Sequence, residues 1–440
     1  MVKPALAVAL ALLFTLAVLL LAGCDLSPAE PTEVPGAPTK APTPSQPTAM
    51  PTTEVDSTPV PTVITLTIWT TEAFSPTEAI TSGEVLAAQV LGFQETYPDV
   101  RLEFLLKQPY GKGGMLDYLL TTQAAVPDLL PDLAILDMDE LGVAVQAGAV
   151  QPLDDLLPAE LVTDLYPAAR EAATVQGRFY ALQFLTDLEH LVYNTGQMTV
   201  PPRSWPGVLS NPGPYAFPAG GQAGLVNDAF LIQYLAVQPA SSGEAAGGLE
   251  LDQDQLAAVL QYYQDGMSRG VYAADLLEVH TTDDTWQDYQ GGKASLAHVS
   301  AHRYLADRGS LQGTAPAFIP AIDGPAEAIN QGWGLILVAS DPVRQSAVAD
   351  FMVYMLAPET NAAWNRASGF LPTRQAALAL WDQEDSYVPF AHQQLLAAQA
   401  RPVIANYTKV AAAMQVAVVN VLTGVATPEE AAAQIIQDSR

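Results

Sequence analysis

The chain has 440 residues, 49% of them hydrophobic, which is enough for more than one domain with a sizeable core. Its formal net charge of −29, from 47 acidic and 18 basic residues, leaves few cations for a groove that binds DNA or RNA. A single cysteine excludes an intramolecular disulfide and a thiolate zinc site. We therefore expect no nucleic-acid partner, no bound metal and no cofactor.

The first 24 residues have the pattern of an exported protein. Residues 5–22 form an unbroken apolar run preceded by Lys3, and the run ends in Leu21-Ala22-Gly23-Cys24. An uncleaved membrane anchor is one interpretation, because about 18 apolar residues can just span a bilayer. The ending instead resembles the lipobox of bacterial lipoproteins, which implies cleavage before Cys24 and acylation of its thiol. We expect residues 1–23 to be a lipoprotein signal peptide and Cys24 to be the lipid attachment site.

Residues 24–62 read as a spacer. Proline, threonine and small residues dominate this segment, and large apolar residues are almost missing from it. Such a segment buries too little surface to offset the entropy of ordering, and its prolines favour an extended chain. We expect a disordered tether between a lipid and a folded body.

From Val63 onward, strand and helix patterns alternate. Residues 65–69 and 132–136 have strand patterns, residues 85–93 place apolar side chains on one helical face, and 100–106 is a further strand. This alternation predicts an α/β fold with a mainly parallel sheet. Ligands bind such sheets at the carboxyl ends of the strands, which points to the loops 70–75 and 137–140.

The rest of the chain is less regular until the carboxyl-terminal part. Residues 180–194 contain two strand-like runs separated by a polar kink at Thr186-Asp187, and residues 201–221 are rich in proline and glycine. From Val343 the pattern is almost entirely helical, with proline at three helix starts.

The order of these landmarks resembles the bacterial extracellular solute-binding proteins of ABC importers, especially the group that binds sugars and oligosaccharides. The landmarks that carry the resemblance are TLTIW, FQETYPDVRLEF, PDLAILDMDELGVAVQAGAVQPLDDLL, GRFYALQFLTDLEHLVYN, WQDYQGGKASLAHVSAHRYL, GWGLILVASD, AVADFMVYMLAPETNAAWNRASGFLPTR and VLTGVATPEEAAAQI. Together they cover nearly all of residues 63–437.

The resemblance implies two α/β lobes of the periplasmic-binding-protein fold (type II-like), joined by hinge crossings, with a helical carboxyl-terminal part. By position, the chain crosses between lobes near residues 182–187, near 297–302 and shortly after Tyr354. The implied first lobe is 63–183 plus 297–355, and the implied second lobe is 184–296 plus 356–440. The ligand lies in the cleft between them, and closure of the lobes buries it.

Three candidate ligand contacts lie near the ends of strands. Asp137 and Asp139 follow the strand 132–136, where the family often places an acid that contacts the ligand; capping of the next helix is the alternative for each. Trp333, in a Gly-Trp-Gly landmark, fits an aromatic side chain that faces the cleft, with core packing as the alternative.

Four more candidates are placed by position. Asp187 interrupts two apolar runs in the first crossing, and Glu72 follows the first strand. His302 lies where sugar-binding relatives often carry a tryptophan, a departure that weakens the case for an ordinary oligosaccharide stack. Tyr407 is a further aromatic candidate, and residues 201–221 depart from the regular helix usual in the family.

The resemblance implies a lipid-anchored, non-enzymatic substrate-binding protein at the outer face of the cytoplasmic membrane. We expect a monomer that captures a small solute, most simply a carbohydrate, and delivers it to ABC permease subunits. An exported carbohydrate-active hydrolase or lyase that uses the same cleft, or a ligand-sensing lipoprotein, is the alternative. The acidic candidates and the scarcity of lysine and arginine favour a neutral polyol or a cation over an anion.

Overall fold

The computed structural model describes residues 63–211, 213–221, 228–238, 251–402 and 407–440. All described residues belong to one compact unit, Val60–Arg440. The predicted signal peptide, Cys24 and the tether lie outside the described residues. Within the described ranges, no helix has both the length and the apolar character needed to cross a membrane.

The strands follow the predicted alternation closely between residues 63 and 140. In chain order they are β1 Ile64–Thr70, β2 Val100–Leu106, β3 Leu133–Asp137, β4 Thr174–Val175, β5 Arg178–Phe179, β6 Ala181–Asp187, β7 Glu189–Asn194, β8 Tyr215–Ala216, β9 Leu296–Ser300, β10 Thr314–Ala317, β11 Ile329–Leu337 and β12 Gln399–Ala400.

The helices dominate the carboxyl-terminal part, as predicted, and the three that start at Pro342, Pro358 and Pro428 have the predicted proline at the first position. In chain order they are α1 Thr81–Thr96, α2 Met115–Ala125, α3 Leu141–Gln146, α4 Ala159–Asp164, α5 Pro167–Ala172, α6 Trp205–Leu209, α7 Asp228–Ala236, α8 Gln253–Ser268, α9 Thr282–Gln290, α10 Ala301–Asp307, α11 Pro342–Met355, α12 Pro358–Ser368, α13 Gln375–Leu378, α14 Tyr387–Ala397, α15 Tyr407–Leu422 and α16 Pro428–Asp438.

The first sheet has the neighbour order β2-β1-β3-β11-β6, with β12 beside the start of β11. The predicted parallel pairing holds for β1 with β2 and for β1 with β3. Strand β11, for which no direction was predicted, runs antiparallel to both β3 and β6, so the sheet is mixed. The physical reason is that β11 enters this sheet on its way back from the second sheet rather than through a helical crossover.

The second sheet has the order β10-β7-β9-β8. The chain passes from the first sheet to the second at Leu188, between β6 and β7, which agrees with the two runs predicted around a polar kink. It returns between β10 and β11. Strand β11 therefore carries the returning chain into the first sheet, where its start pairs with β12 and its later residues pair with β3 and β6.

A buried polar network fixes the two crossing strands. Gln183 of β6 and Asn330 of β11 exchange side-chain hydrogen bonds of 2.9 and 3.1 Å, and Thr186 donates to Asn330 at 3.2 Å. Gly332 allows this approach, because a Cβ there would lie 2.3 Å from both the Gln183 amide nitrogen and the Leu185 carbonyl oxygen. Amide pairs buried in this way hold a fixed register, since a broken pair leaves unsatisfied polar atoms.

Separate apolar cores support the two sheets. The first core joins β1, β3 and β6 with α1 and α11 through residues such as Leu66, Phe93 and Phe351. The second core packs α7, α8, α15 and α16 together, and a third core lies around Trp286 and Tyr387 beside the second sheet. We call the part built on the first sheet the first lobe and the part built on the second sheet the second lobe.

Two segments pack differently from the predicted lobe boundaries. Strand β9 and helix α10 lie in the predicted return to the first lobe, but β9 pairs with β7 in the second sheet. Trp364 of α12 belongs to the predicted second lobe, but it is buried in the first core beside Phe184. A local apolar pattern does not specify distant partners, and strand pairing for β9 and side-chain packing for Trp364 decide these two assignments. The remaining boundaries stay a prediction.

Candidate functional site

An aromatic cluster lies where β1, β2 and β3 end. Trp333 of β11 pairs in register with Asp137 at the end of β3. The Trp333 ring lies 5.4 Å from the ring of Phe74, in the turn after β1, and 5.5 Å from the ring of Tyr110, in the loop after β2. The predicted loops 70–75 and 137–140 thus meet at this edge of the sheet, as expected for the carboxyl ends of neighbouring parallel strands.

Asp137 has the capping role that the sequence offered as the alternative, and its other oxygen holds a tyrosine; its ligand contact stays a prediction. Its Oδ1 accepts a hydrogen bond of 2.9 Å from the backbone N–H of Asp139, which caps the short 3-10 turn Met138–Glu140. Its Oδ2 accepts a hydrogen bond of 2.6 Å from the Tyr110 hydroxyl. Tyr110 as a whole is 55% exposed. The carboxylate therefore orients an exposed phenol beside Trp333 while it shapes the loop that carries Asp139.

Arg401, directly after β12, lies among carboxylates from different elements. Its Nε is 2.8 Å from Asp139 Oδ2, and its two terminal nitrogens lie 2.7 and 2.8 Å from the two oxygens of Asp228. The Gln331 side-chain amide also donates to Asp228. Two parallel N–H···O contacts to one carboxylate are the strong, directional form of an arginine ion pair.

The pKa values in this cluster rise because the carboxyls are partly enclosed and face one another. Burial, with Asp137 and Asp228 nearby, raises the pKa of Asp139 to about 6, although Arg401 lowers it and 42% of the side chain is exposed. Burial followed by Asp137 and Asp139 raises the pKa of Glu140 to about 7. Burial also raises the pKa of Asp137 and, together with Asp137, that of the Tyr110 phenol.

These side chains match the chemistry of a polyol. Aromatic faces cover the C–H face of a sugar ring, and carboxylates accept hydrogen bonds from its hydroxyl groups. The Tyr110 hydroxyl, which donates its proton to Asp137, can accept a hydrogen bond from a sugar hydroxyl, and a guanidinium donates to the sugar oxygens. A small cavity among Ile68, Leu86 and Phe351 lies inside the first core, and its apolar lining offers no comparable set of polar groups. The candidate site is therefore the surface formed by Trp333, Tyr110 and the Asp137–Glu140 loop.

Asp187 lies at the crossing between the sheets. Its Oδ1 accepts hydrogen bonds of 3.0 Å from the backbone N–H groups of Leu188 and His302, so the carboxylate ties the crossing to the start of α10. Burial raises its pKa to about 7, against the lowering effect of those hydrogen bonds. Its predicted ligand contact stays a prediction, since the structure also gives the side chain a role in the hinge.

Among the described side chains, His302 and Glu72 do not belong to the aromatic cluster. His302 stacks on Phe370 with ring centroids 4.1 Å apart, and burial lowers its pKa. Glu72 is exposed in the short turn Glu72–Phe74, of which Phe74, rather than Glu72, packs on Trp333. Tyr407 begins α15, but its side chain lies outside the described residues.

Sequence reasoning missed Tyr110, Asp228, Gln331 and Arg401. Tyr110 precedes a glycine-rich turn that has no motif of its own, and Asp228 and Arg401 lie far apart along the chain. One signal was available for Arg401, because an arginine is an unusual residue in so acidic a chain. The strand β12 that places it is two residues long, too short to produce a periodic pattern.

The sequence of the chain matches the family model of the bacterial extracellular solute-binding proteins over residues 92–388. The chain belongs to this family. Its membership confirms a solute-binding protein rather than an enzyme, so the hydrolase and lyase alternative is set aside, and it implies an extracytoplasmic location.

Solved structures confirm the two-lobe α/β fold of this solute-binding protein. The cyclic alpha-maltosyl-1,6-maltose binding protein from Arthrobacter globiformis superposes with a TM-score of 0.67 at 20% identity, covering 86% of this chain and 98% of that one. Maltose-bound MalE3 of T. maritima superposes with a TM-score of 0.65 at 20% identity, covering 85% and 98%. At 20% sequence identity, this structural similarity is evidence for the fold alone.

A curated relative is also similar in sequence over a short stretch. The maltotriose-binding protein of Pyrococcus abyssi is 33% identical over 75 residues, which are 17% of this chain and 17% of that protein. The match therefore spans only a small part of the length of that relative.

Proposed function

We propose that the protein captures a neutral sugar or oligosaccharide outside the cytoplasm and delivers it to the permease of an ABC importer. The observation that carries the proposal is the aromatic surface of Trp333 and Tyr110 directly beside Asp137 and Asp139. The maltose and maltotriose specificities of the similar proteins support a carbohydrate, and lobe closure over the ligand fits the fold.

The charge of the site favours a neutral ligand over an anionic one. Four carboxyl side chains lie here beside a single guanidinium: Asp137, Asp139, Glu140 and Asp228 around Arg401. The guanidinium already makes ion pairs with Asp139 and Asp228. A phosphate or carboxylate on the ligand would face this negative surface without a cation of its own. We therefore expect sugar phosphates to bind much more weakly than the uncharged sugars.

A thermal-shift panel tests the ligand class. The full chain is solubilised in a polyoxyethylene detergent, because a maltoside headgroup would itself compete, and is heated with maltose, maltotriose, spermidine or glucose 6-phosphate. A ligand that binds the folded form raises the melting temperature by mass action, and we expect this from the neutral sugars. We also expect to recover the sugar chemically unchanged. A rise in melting temperature with only spermidine or only glucose 6-phosphate would contradict the proposal.

We also propose that Cys24 is acylated and that residues 24–62 tether a monomeric body to the outer face of the membrane. The lipobox-like ending and the proline- and threonine-rich composition support this arrangement. Lipoprotein processing supplies more than one acyl chain, as stable anchoring requires. A tether of this kind keeps the body close to a permease at high effective concentration.

A further inference from the structure

Arg401 joins carboxylates that belong to different lobes. Asp139 lies in the turn between β3 and α3, whose Met138 and Leu141 are buried in the first core. Asp228 begins α7, whose following residues are buried in the second core. The Arg401 guanidinium contacts both carboxylates at 2.7–2.8 Å, so the three side chains bridge the two lobes.

The two ends of the bridge differ in strength. The Arg401 and Asp228 side chains are 14% and 15% exposed, their contact is bidentate, and Gln331 of β11 holds the same carboxylate. Asp139 is 42% exposed and makes one contact with Arg401. A bidentate, desolvated pair is the firmer of the two, so the Arg401–Asp139 contact is the one that breaks when the lobes separate.

We propose that Arg401 is a positioning residue that couples closure of the lobes over the ligand to its ion pair with Asp139. The identity of the ligand as a sugar rests on the proposed function, whereas the effect of Arg401 on lobe closure is independent of it. Without the guanidinium, Asp139 either faces Asp228 as a like charge or takes up a proton, and each outcome costs free energy in the closed form, so removal of Arg401 favours the open form. A ligand that needs the closed form then binds more weakly by the same factor.

A distance measurement between the lobes tests the coupling. Spin labels are attached to Val143→Cys in the first lobe and Val425→Cys after α15 in the second, both at exposed positions. Both cysteines are introduced into the full chain with Cys24→Ala, so that the labels attach only at these two positions. The closed fraction is recorded over a maltotriose titration that includes zero ligand, and affinity is measured by calorimetry on the same samples.

The expected result separates the variants by charge and geometry. Arg401→Gln lowers the closed fraction and weakens maltotriose binding by about 5–50-fold. Arg401→Lys restores part of both, because a lysine keeps the charge without the bidentate fork. Asp139→Asn leaves the Arg401–Asp228 ion pair intact and should also lower the closed fraction. This second variant keeps the test decisive if Arg401→Gln does not fold.

The matched control is Arg344→Gln. Arg344 makes an ion pair with Asp132 and donates to the Thr65 carbonyl, all within the first lobe, so its loss should leave closure unchanged. Equal closed fractions in the wild type, Arg401→Gln and Asp139→Asn at every maltotriose concentration would overturn the proposal. A wild type that binds no carbohydrate would contradict the proposed function instead, and the comparison at zero ligand would still decide the coupling.

Discussion

At the scale of single residues, Asp187 makes the folded state sensitive to pH. Its pKa is raised by burial to about 7, above the usual value of roughly 4 for an aspartate, so the folded protein binds this proton more tightly than the unfolded chain. Its contribution to stability is therefore fully present below pH 4 and declines as the pH rises through about 7.

Asp187→Asn should remove this part of the pH dependence. The amide oxygen can still accept hydrogen bonds from the backbone N–H groups of Leu188 and His302, but the side chain does not ionise. We expect the variant to gain on the order of 2 kcal/mol relative to wild type between pH 5 and pH 8, measured by denaturant unfolding. Asp99→Asn, at an exposed position, is the control, and an equal gain there would contradict the assignment.

Trp333 should provide most of the apolar contact with a sugar ring. It is partly buried, and its ring neighbours Phe74 and Tyr110 leave the indole at the edge of the first core. We expect Trp333→Ala to weaken sugar binding at least about tenfold in calorimetric titrations, since aromatic anchors lose the most on truncation. Trp381→Phe, in the third core, should change stability but not affinity.

At the scale of elements, the crossing strands should tolerate little change. A Cβ at Gly332 would push against Gln183 and the Leu185 carbonyl in the buried amide network. We expect Gly332→Ala to lower the free energy of unfolding by about 2–4 kcal/mol, because both the strand and the network must move. Gly309→Ala meets nothing within 4 Å and should change stability by at most about 0.5 kcal/mol; an equal loss in both variants would disprove this account.

The elements that sequence reasoning could predict are those with local causes. Strands β1 and β3 and the proline-started helices follow from alternation, helical periodicity and capping, and the position of Asp137 after β3 follows from chain order. The antiparallel direction of β11 does not follow from any local pattern, because strand direction within a sheet depends on distant partners.

The same distinction applies to the site. Trp333, Asp137 and Asp139 follow or sit on strands with clear patterns, and so could be proposed from the sequence. Arg401 and Asp228 come together through the pairing of β12 with β11 and the hydrogen bond between Gln331 of β11 and Asp228 of α7, and no local sequence pattern predicts that contact. Side chains that bridge two lobes are therefore the part of the site least accessible to sequence reasoning.

At the scale of the whole molecule, Cys24 should decide where the protein resides. We expect Cys24→Ser to abolish incorporation of a labelled fatty acid, because serine offers no thiol for acylation. Membrane fractionation before and after the change measures the consequence for anchoring. Fatty-acid labelling that persists in Cys24→Ser would contradict attachment at this residue.

The central claim is that this solute-binding protein recognises a neutral sugar at the Trp333 surface. The most direct test is a calorimetric titration of the full chain, in polyoxyethylene detergent, with maltotriose and then with glucose 6-phosphate. We expect saturable binding of maltotriose at one site, weakened at least about tenfold in Trp333→Ala, and no comparable binding of the phosphate. Maltotriose binding that is absent in the wild type, or unchanged in Trp333→Ala, would contradict it.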